Sequence, residues 1–109
     1  MARAVINAVS TGGTNEIVVA ANAAYAIEVY QYSFSSTADC TVTWKSDTTA
    51  ISGPMSVVAN GGFVNVAAPV TAPGQAEPLL KTAKGEGLKM TISAAATIGG
   101  HLVYRYNPA

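Results

Sequence analysis

Few residues in this sequence are of types that do chemistry. Cys40 and His101 are the single cysteine and the single histidine in 109 residues. A thiol becomes a useful nucleophile when a base takes its proton and a third group orients that base. Cys40 instead alternates in phase with Val42 and Trp44, which reads as a small buried hydrophobe. His101 follows Gly99-Gly100 on the polar phase of its segment, with no acid nearby in sequence to orient it. One cysteine also excludes an intramolecular disulfide framework and a multi-cysteine zinc site. No catalytic residue, no cofactor and no metal are therefore expected.

The remaining polar candidates have plain readings. Asp39 and Asp47 flank the segment 40–46, one at each end, so they cannot share a proton or a cation. Capping of turns by their side chains is expected. Glu77, Lys81, Lys84, Glu86 and Lys89 form a mixed-sign cluster, read as a solvated hairpin or, more sharply, a polar subunit contact. Gly61-Gly62 and Gly99-Gly100 join apolar runs rather than opening helices, so they lack the helix N-terminus that binds phosphate. They read as turns. Tyr30, Tyr32, Phe34, Trp44, Tyr104 and Tyr106 could stack on sugars or bases, but apolar neighbours alternate with them, which favours a core or interface role.

Composition agrees. Half of the residues are hydrophobic and 11% are charged, with six Lys plus Arg against six Asp plus Glu. That content opposes wholesale disorder, and the even balance lacks the basic footprint of a nucleic-acid binder. No window approaches the roughly 20 apolar residues of a membrane helix, so no membrane partner is expected. The N-terminal stretch has no signal-like apolar run, which makes a cytoplasmic origin the default. So sparsely charged a surface implies that part of it is covered by a partner.

The elements that would position these residues have a period of two. Cys40-Val42-Trp44, Leu88-Met90-Ile92 and Leu102-Tyr104-Tyr106 each alternate with more polar residues, as half-buried strands do. Phe63 to Val66 and Met55 to Ala59 add two shorter runs. Ser52-Gly53-Pro54, Asn60-Gly61-Gly62, Gly85-Glu86-Gly87 and Gly99-Gly100 punctuate them as turns, the second as a hairpin. Strands at about ten-residue spacing predict an all-β, single-domain antiparallel β-sandwich of jelly-roll type over residues 15–109. The Ala-rich stretches 20–26 and 94–96 read as strand or loop, with a helix at 22–26 as the alternative.

Three segments suggest contacts. In Tyr25 to Phe34, Tyr25, Ile27 and Val29 fall on one face and Ala26, Tyr30, Tyr32 and Phe34 mainly on the other, with Glu28 interrupting. A strand apolar on both faces has a covered outer face, so Tyr30, Tyr32 and Phe34 are expected at a subunit interface. Residues 1–14 could be an extended N-terminal arm ending in Thr11-Gly12-Gly13-Thr14. Pro69, Pro73, Gly74, Gln75 and Pro78 mark an irregular stretch, either a crossover or a loop lying against a neighbour.

The segment 49–62, Thr-Ala-Ile-Ser-Gly-Pro-Met-Ser-Val-Val-Ala-Asn-Gly-Gly, lies within a longer pattern. Thr43-Trp44-Lys45-Ser46 comes before it; Thr82 to Leu88 and Ile98-Gly99-Gly100-His101-Leu102-Val103-Tyr104 follow. Across Ile27 to Tyr106 this resembles the small β-sandwich virion proteins of tailed bacteriophages, of the capsid decoration or cement type. The chain departs from that pattern at Pro69 to Pro78, where those proteins carry a shorter segment. The resemblance implies a non-enzymatic structural protein, made in the host cytoplasm and placed on the virion surface. Its expected partners are the major capsid protein and itself, as a homotrimer. Shell contacts are expected from the arm (Arg3, Val5) or the Pro-rich loop (Pro69, Pro73, Gln75, Pro78). A head-fibre or tail module with a receptor- or glycan-binding role is the alternative, and it predicts exposed Trp44 or Tyr side chains.

Overall fold

The alternating runs form ten strands in the computed structural model, which describes residues 2–61, 64–67 and 77–108. In chain order they are β1 (Ala2–Thr11), β2 (Thr14–Val19), β3 (Ala26–Ser36), β4 (Cys40–Ser46), β5 (Thr49–Ala50), β6 (Met55–Val57), β7 (Val64–Ala67), β8 (Leu80–Lys81), β9 (Leu88–Ile92) and β10 (Ala95–Asn107). One sheet has the order β1-β10-β3-β7, with β8 beside β3 on the same edge as β7. The other has the order β2-β9-β4-β5, with β6 also beside β4. All these pairings are antiparallel. The two sheets pack face to face as a β-sandwich, the expected fold class.

The pairing is nested. If β5 with β6, and β7 with β8, count as interrupted edge strands, the first strand pairs with the last and the second with the next to last, and so inward. Thr11-Gly12-Gly13-Thr14 carries the chain from one sheet to the other, with φ of 117° at Gly12 and 72° at Gly13. The Gly13 N–H donates to the Ile92 carbonyl at 2.7 Å, which fixes the corner to β9. Residues 2–11, within the stretch 1–14 expected as an arm, therefore form a strand paired with β10 along its whole length.

Inward side chains meet between the sheets. Trp44 of β4 contacts Tyr32 and Phe34 of β3, with ring centroids 5.2 and 6.1 Å away. Ile6, Ile27, Val29, Val42, Leu88, Met90, Ile92, Ile98 and Leu102 close around them. Each such side chain contributes about 1.5–3 kcal/mol by leaving water.

Three expectations need correction. The Gly99-Gly100 pair is no turn: it lies in the middle of β10, opposite β1 on one side and β3 on the other. Glycine inside a strand often marks a close backbone approach rather than a bend. Asn60-Gly61 does turn, with Asn60 at φ 53° and the Gly61 N–H donating to the Val58 carbonyl at 3.0 Å. It is not a hairpin, because β6 and β7 lie in different sheets; positive φ redirects a chain without deciding whether the flanking strands pair. The Glu/Lys cluster is divided: Lys81 faces Glu28, Lys89 faces Asp47, and Glu86 accepts from Ser46. The stretch 20–25 is a loop, turned where the Tyr25 N–H donates to the Asn22 carbonyl at 3.0 Å.

Ser46 ties the end of β4 to the turn before β9. Its buried hydroxyl donates to Glu86 Oε1 at 2.6 Å and accepts from the Ala83 N–H at 3.0 Å. Ser46→Ala is expected to cost about 1 kcal/mol, because the backbone donor loses its partner. Urea unfolding measures this; an unchanged midpoint would mean that solvent replaces both bonds.

Candidate functional site

A β-bulge decides where the expected interface residues go. Between β3 and β10 the register steps from Gln31↔Val103 to Val29↔Tyr104, so Tyr30 is the unpaired extra residue. A bulge shifts the side-chain phase by one. Ile27 and Val29 face the core before it, and Tyr32 and Phe34 face the same core after it. The strand is thus not apolar on two faces. Phe34 is fully buried and Tyr32 nearly so, both within one chain, and only Tyr30 of the three lies on the outer face. That corrects the premise of an outer interface built from Tyr30, Tyr32 and Phe34.

Tyr30 instead belongs to a polar network centred on Glu28. Glu28 stands opposite Arg105 of β10 on one side and Lys81 of β8 on the other, so its carboxylate lies between two cations. Oε1 accepts from the Tyr30 hydroxyl at 2.7 Å and from Arg105 Nε at 2.8 Å. Oε2 accepts from Asn107 Nδ2 at 2.9 Å, with Lys81 Nζ at 3.7 Å. The Arg105 guanidinium also sits 5.7 Å from the centre of the Tyr30 ring. The Glu28 side chain is 6% exposed. Burial alone would raise its pKa, but the bonds from Tyr30, Arg105 and Asn107 outweigh burial and hold it at about 2. Burial, followed by the bond to Glu28, pushes the Tyr30 phenol up. A carboxylate with occupied lone pairs and so low a pKa is a poor general base. The network stabilises the sheet.

The other sequence candidates are dispersed. Cys40 is half-buried in one sheet, its Sγ 3.5 Å from the Ser36 hydroxyl, while His101 is exposed on the outer face of the other sheet. The two do not meet. Asp39 accepts from the Ala59 N–H at 2.7 Å and Asp47 from the Gly87 N–H at 3.1 Å, so each side chain bonds backbone distant in sequence rather than capping its own turn. Among the described residues no three His, Cys, Asp or Glu side chains gather to hold a metal ion. Trp44 is fully buried, and its Nε1–H makes no well-formed hydrogen bond. All three half-buried, Tyr106 packs against Tyr25 and Tyr104, with ring centroids 5.8 and 5.5 Å away.

Of the expected shell contacts, Pro69, Pro73 and Gln75 lie outside the described residues, and Pro78 is half-buried. Arg3 and Val5 are exposed on the outer face of β1. They belong to a surface that the sequence reading missed as a whole. Arg3, Val5, Asn7 and Val9 of β1 lie beside Val103, His101, Gly99 and Thr97 of β10, in that order. Val5 is 77% exposed and Val9 60%. Above Gly99 there is open space where a side chain would stand. The face is apolar in part and carries only Arg3 and Arg105 as charges on these two strands, Arg105 being engaged with Glu28. Arg3, Val5, Asn7 and Val9 share one phase, but the consecutive apolar residues Ala4-Val5-Ile6 and Ala8-Val9 blur the alternation, which also suits an unpaired arm. Comparison with protein-family models, with curated proteins and with solved structures finds nothing that matches this chain.

Proposed function

We propose that this chain is a non-enzymatic capsid decoration protein of a tailed phage, which binds the outside of the major capsid shell and stabilises it. The observation that supports this most is the outer face of β1 and β10, where Arg3, Val5 and Val9 lie exposed on a sparsely charged pair of strands. A surface of that kind suits contact with another protein. The nested strand pairing is also the strand order of a jelly roll, a fold used repeatedly in capsids. The expectation of a trimer rests on the outer face of Tyr25 to Phe34; with Tyr32 and Phe34 in the core, that face does not supply the contact between copies.

The mechanism is linkage. A protein that binds only the expanded shell stabilises that state by RT ln(1 + [L]/Kd), about 2.7 kcal/mol per site at a free concentration of 100 Kd. Repetition over the shell adds many such terms. A fibre or tail module that reads glycans needs an exposed aromatic platform, and Trp44 does not supply one.

Co-sedimentation with expanded heads lacking this protein tests the reading. Saturable binding, with heads that resist heat or chaotrope better, is expected, and Val5→Glu should weaken it. Heads that neither bind the protein nor gain stability would overturn the decoration role.

A further inference from the structure

We propose that β1 pairs antiparallel with β1 of a second copy about a two-fold axis at Asn7, joining the two copies of its sheet into one. The inference does not rest on the capsid reading. It starts from how the sheet edges are protected. A free edge strand exposes a row of backbone donors and acceptors, and proteins guard such edges by shortness, bulges, proline or charge. Among the described residues the two sheets have four edges, and three of them are guarded. One is divided into β5 and β6, of two and three residues, and another into β7 and β8, of four and two. The third, β2, is interrupted at Val18 and carries Glu16.

Of these devices β1 has only a single charge, Arg3, near its N-terminal end. It runs ten residues in unbroken register with β10, without proline, lysine or bulge, and no described strand pairs with its other edge. Val5 and Val9 are two of the most exposed large apolar side chains of the molecule.

The occupant follows from the order of residues along β1. Reversing the strand about Asn7 places Val5 opposite the second copy's Val9, and Val9 opposite its Val5. It also pairs Asn7 with Asn7, Ile6 with Ala8, Ala4 with Ser10 and Arg3 with Thr11. The exposed valines therefore meet each other. The strand's single charge, Arg3, falls at opposite ends of the paired strands, so like charges do not meet. An edge contact is smaller than a standard stable interface of about 1,600 Å², so the dimer is expected to be reversible.

Sedimentation velocity on the purified full chain, from about 1 to about 200 µM, spans that range of weak affinities. A monomer–dimer equilibrium is expected. Val5→Lys with Val9→Lys puts lysine against lysine twice and should raise the dissociation constant at least about tenfold. Val5→Lys with Val9→Glu puts opposite charges at the same two positions and should keep the dimer. Both positions are exposed, so folding should survive, with circular dichroism as the check. Asn7→Cys in a Cys40→Ser background should give a disulfide-linked dimer on mild oxidation, since facing residues of antiparallel strands come within disulfide reach. A wild-type chain monomeric at the highest concentration, a trimer, a dimer indifferent to the double lysine variant, or no cross-link at position 7 would each overturn the proposal. Head binding by a chain shown to be monomeric would separate this failure from that of the decoration role.

Discussion

Gly100→Ala is expected to cost about 3 kcal/mol or more, although it adds one methyl group. Gly100 sits in β10 between Ile6 of β1 and Phe34 of β3. A Cβ there would stand 2.7 Å from the Phe34 Cα, 2.8 Å from the Ser33 carbonyl carbon, and closer still to that carbonyl's oxygen. These are backbone atoms in a paired strand, and no rotamer change moves them aside. Two strands would have to separate at the centre of their sheet, above the ring of Phe34. Domains of this size have total stabilities of about 5–15 kcal/mol, so the loss would be a large share. Gly99 supplies the control. It is the next residue on the same strand, on the opposite face, with nothing within 4 Å of where its Cβ would lie. Gly99→Ala should be neutral, or stabilising by about 0.5–1 kcal/mol, since glycine is costly in a strand interior. Urea midpoints of the two variants should differ clearly. Equal midpoints would show that β3 and β10 do not approach at Gly100 as closely as the structure has them.

The same pair of glycines shows what was legible in the sequence and what was not. Alternation found the cores of β4 and β9 directly, because Val42, Trp44, Leu88, Met90 and Ile92 keep one phase and all are buried. Glycine pairs carry no phase, so Gly99-Gly100 looked like the other Gly-rich turns, and the apolar alternation of Ala96, Ile98 and Leu102 through it was the overlooked signal. The bulge at Tyr30 was hidden for a related reason. One unpaired residue moves Tyr32 and Phe34 into line with Ile27 and Val29, and nothing in the residue types announces it. Reading straight through gives a strand apolar on two faces and puts Tyr32 and Phe34 on the outer one, whereas both lie in the core. Glu28 was visible as an interruption. What holds it, Lys81 and Arg105, is set by tertiary register, at 53 and 77 residues' distance, beyond any local pattern.

Glu28 should make stability depend on acid. Its folded pKa is about 2 against an ordinary 4.5, so the folded chain binds its proton more weakly than the unfolded chain does. The contribution is complete above about pH 4.5 and is lost as pH falls through the folded value. The full pKa difference would correspond to about 3 kcal/mol. Arg105 and Lys81 are each about half exposed, and the carboxylate lies on the outer face of its sheet rather than in the core between sheets, so screening reduces the figure to about 2 kcal/mol. Glu28→Gln keeps the shape but removes the charge that Arg105, Lys81, Tyr30 and Asn107 converge on. At pH 7 it should be about 2 kcal/mol less stable than the wild type. On titration from pH 5 to pH 2 the wild type should lose stability more steeply, and the two proteins should converge. Parallel slopes would mean that the charge of Glu28 contributes nothing to the fold. Convergence together with equal stability of wild type and Arg105→Gln at pH 7 would assign the effect to the hydrogen bonds from Tyr30 and Asn107. If Arg105→Gln removes most of the slope, the guanidinium holds the carboxylate, and the row Arg105-Glu28-Lys81 works as a charge clasp across β10, β3 and β8.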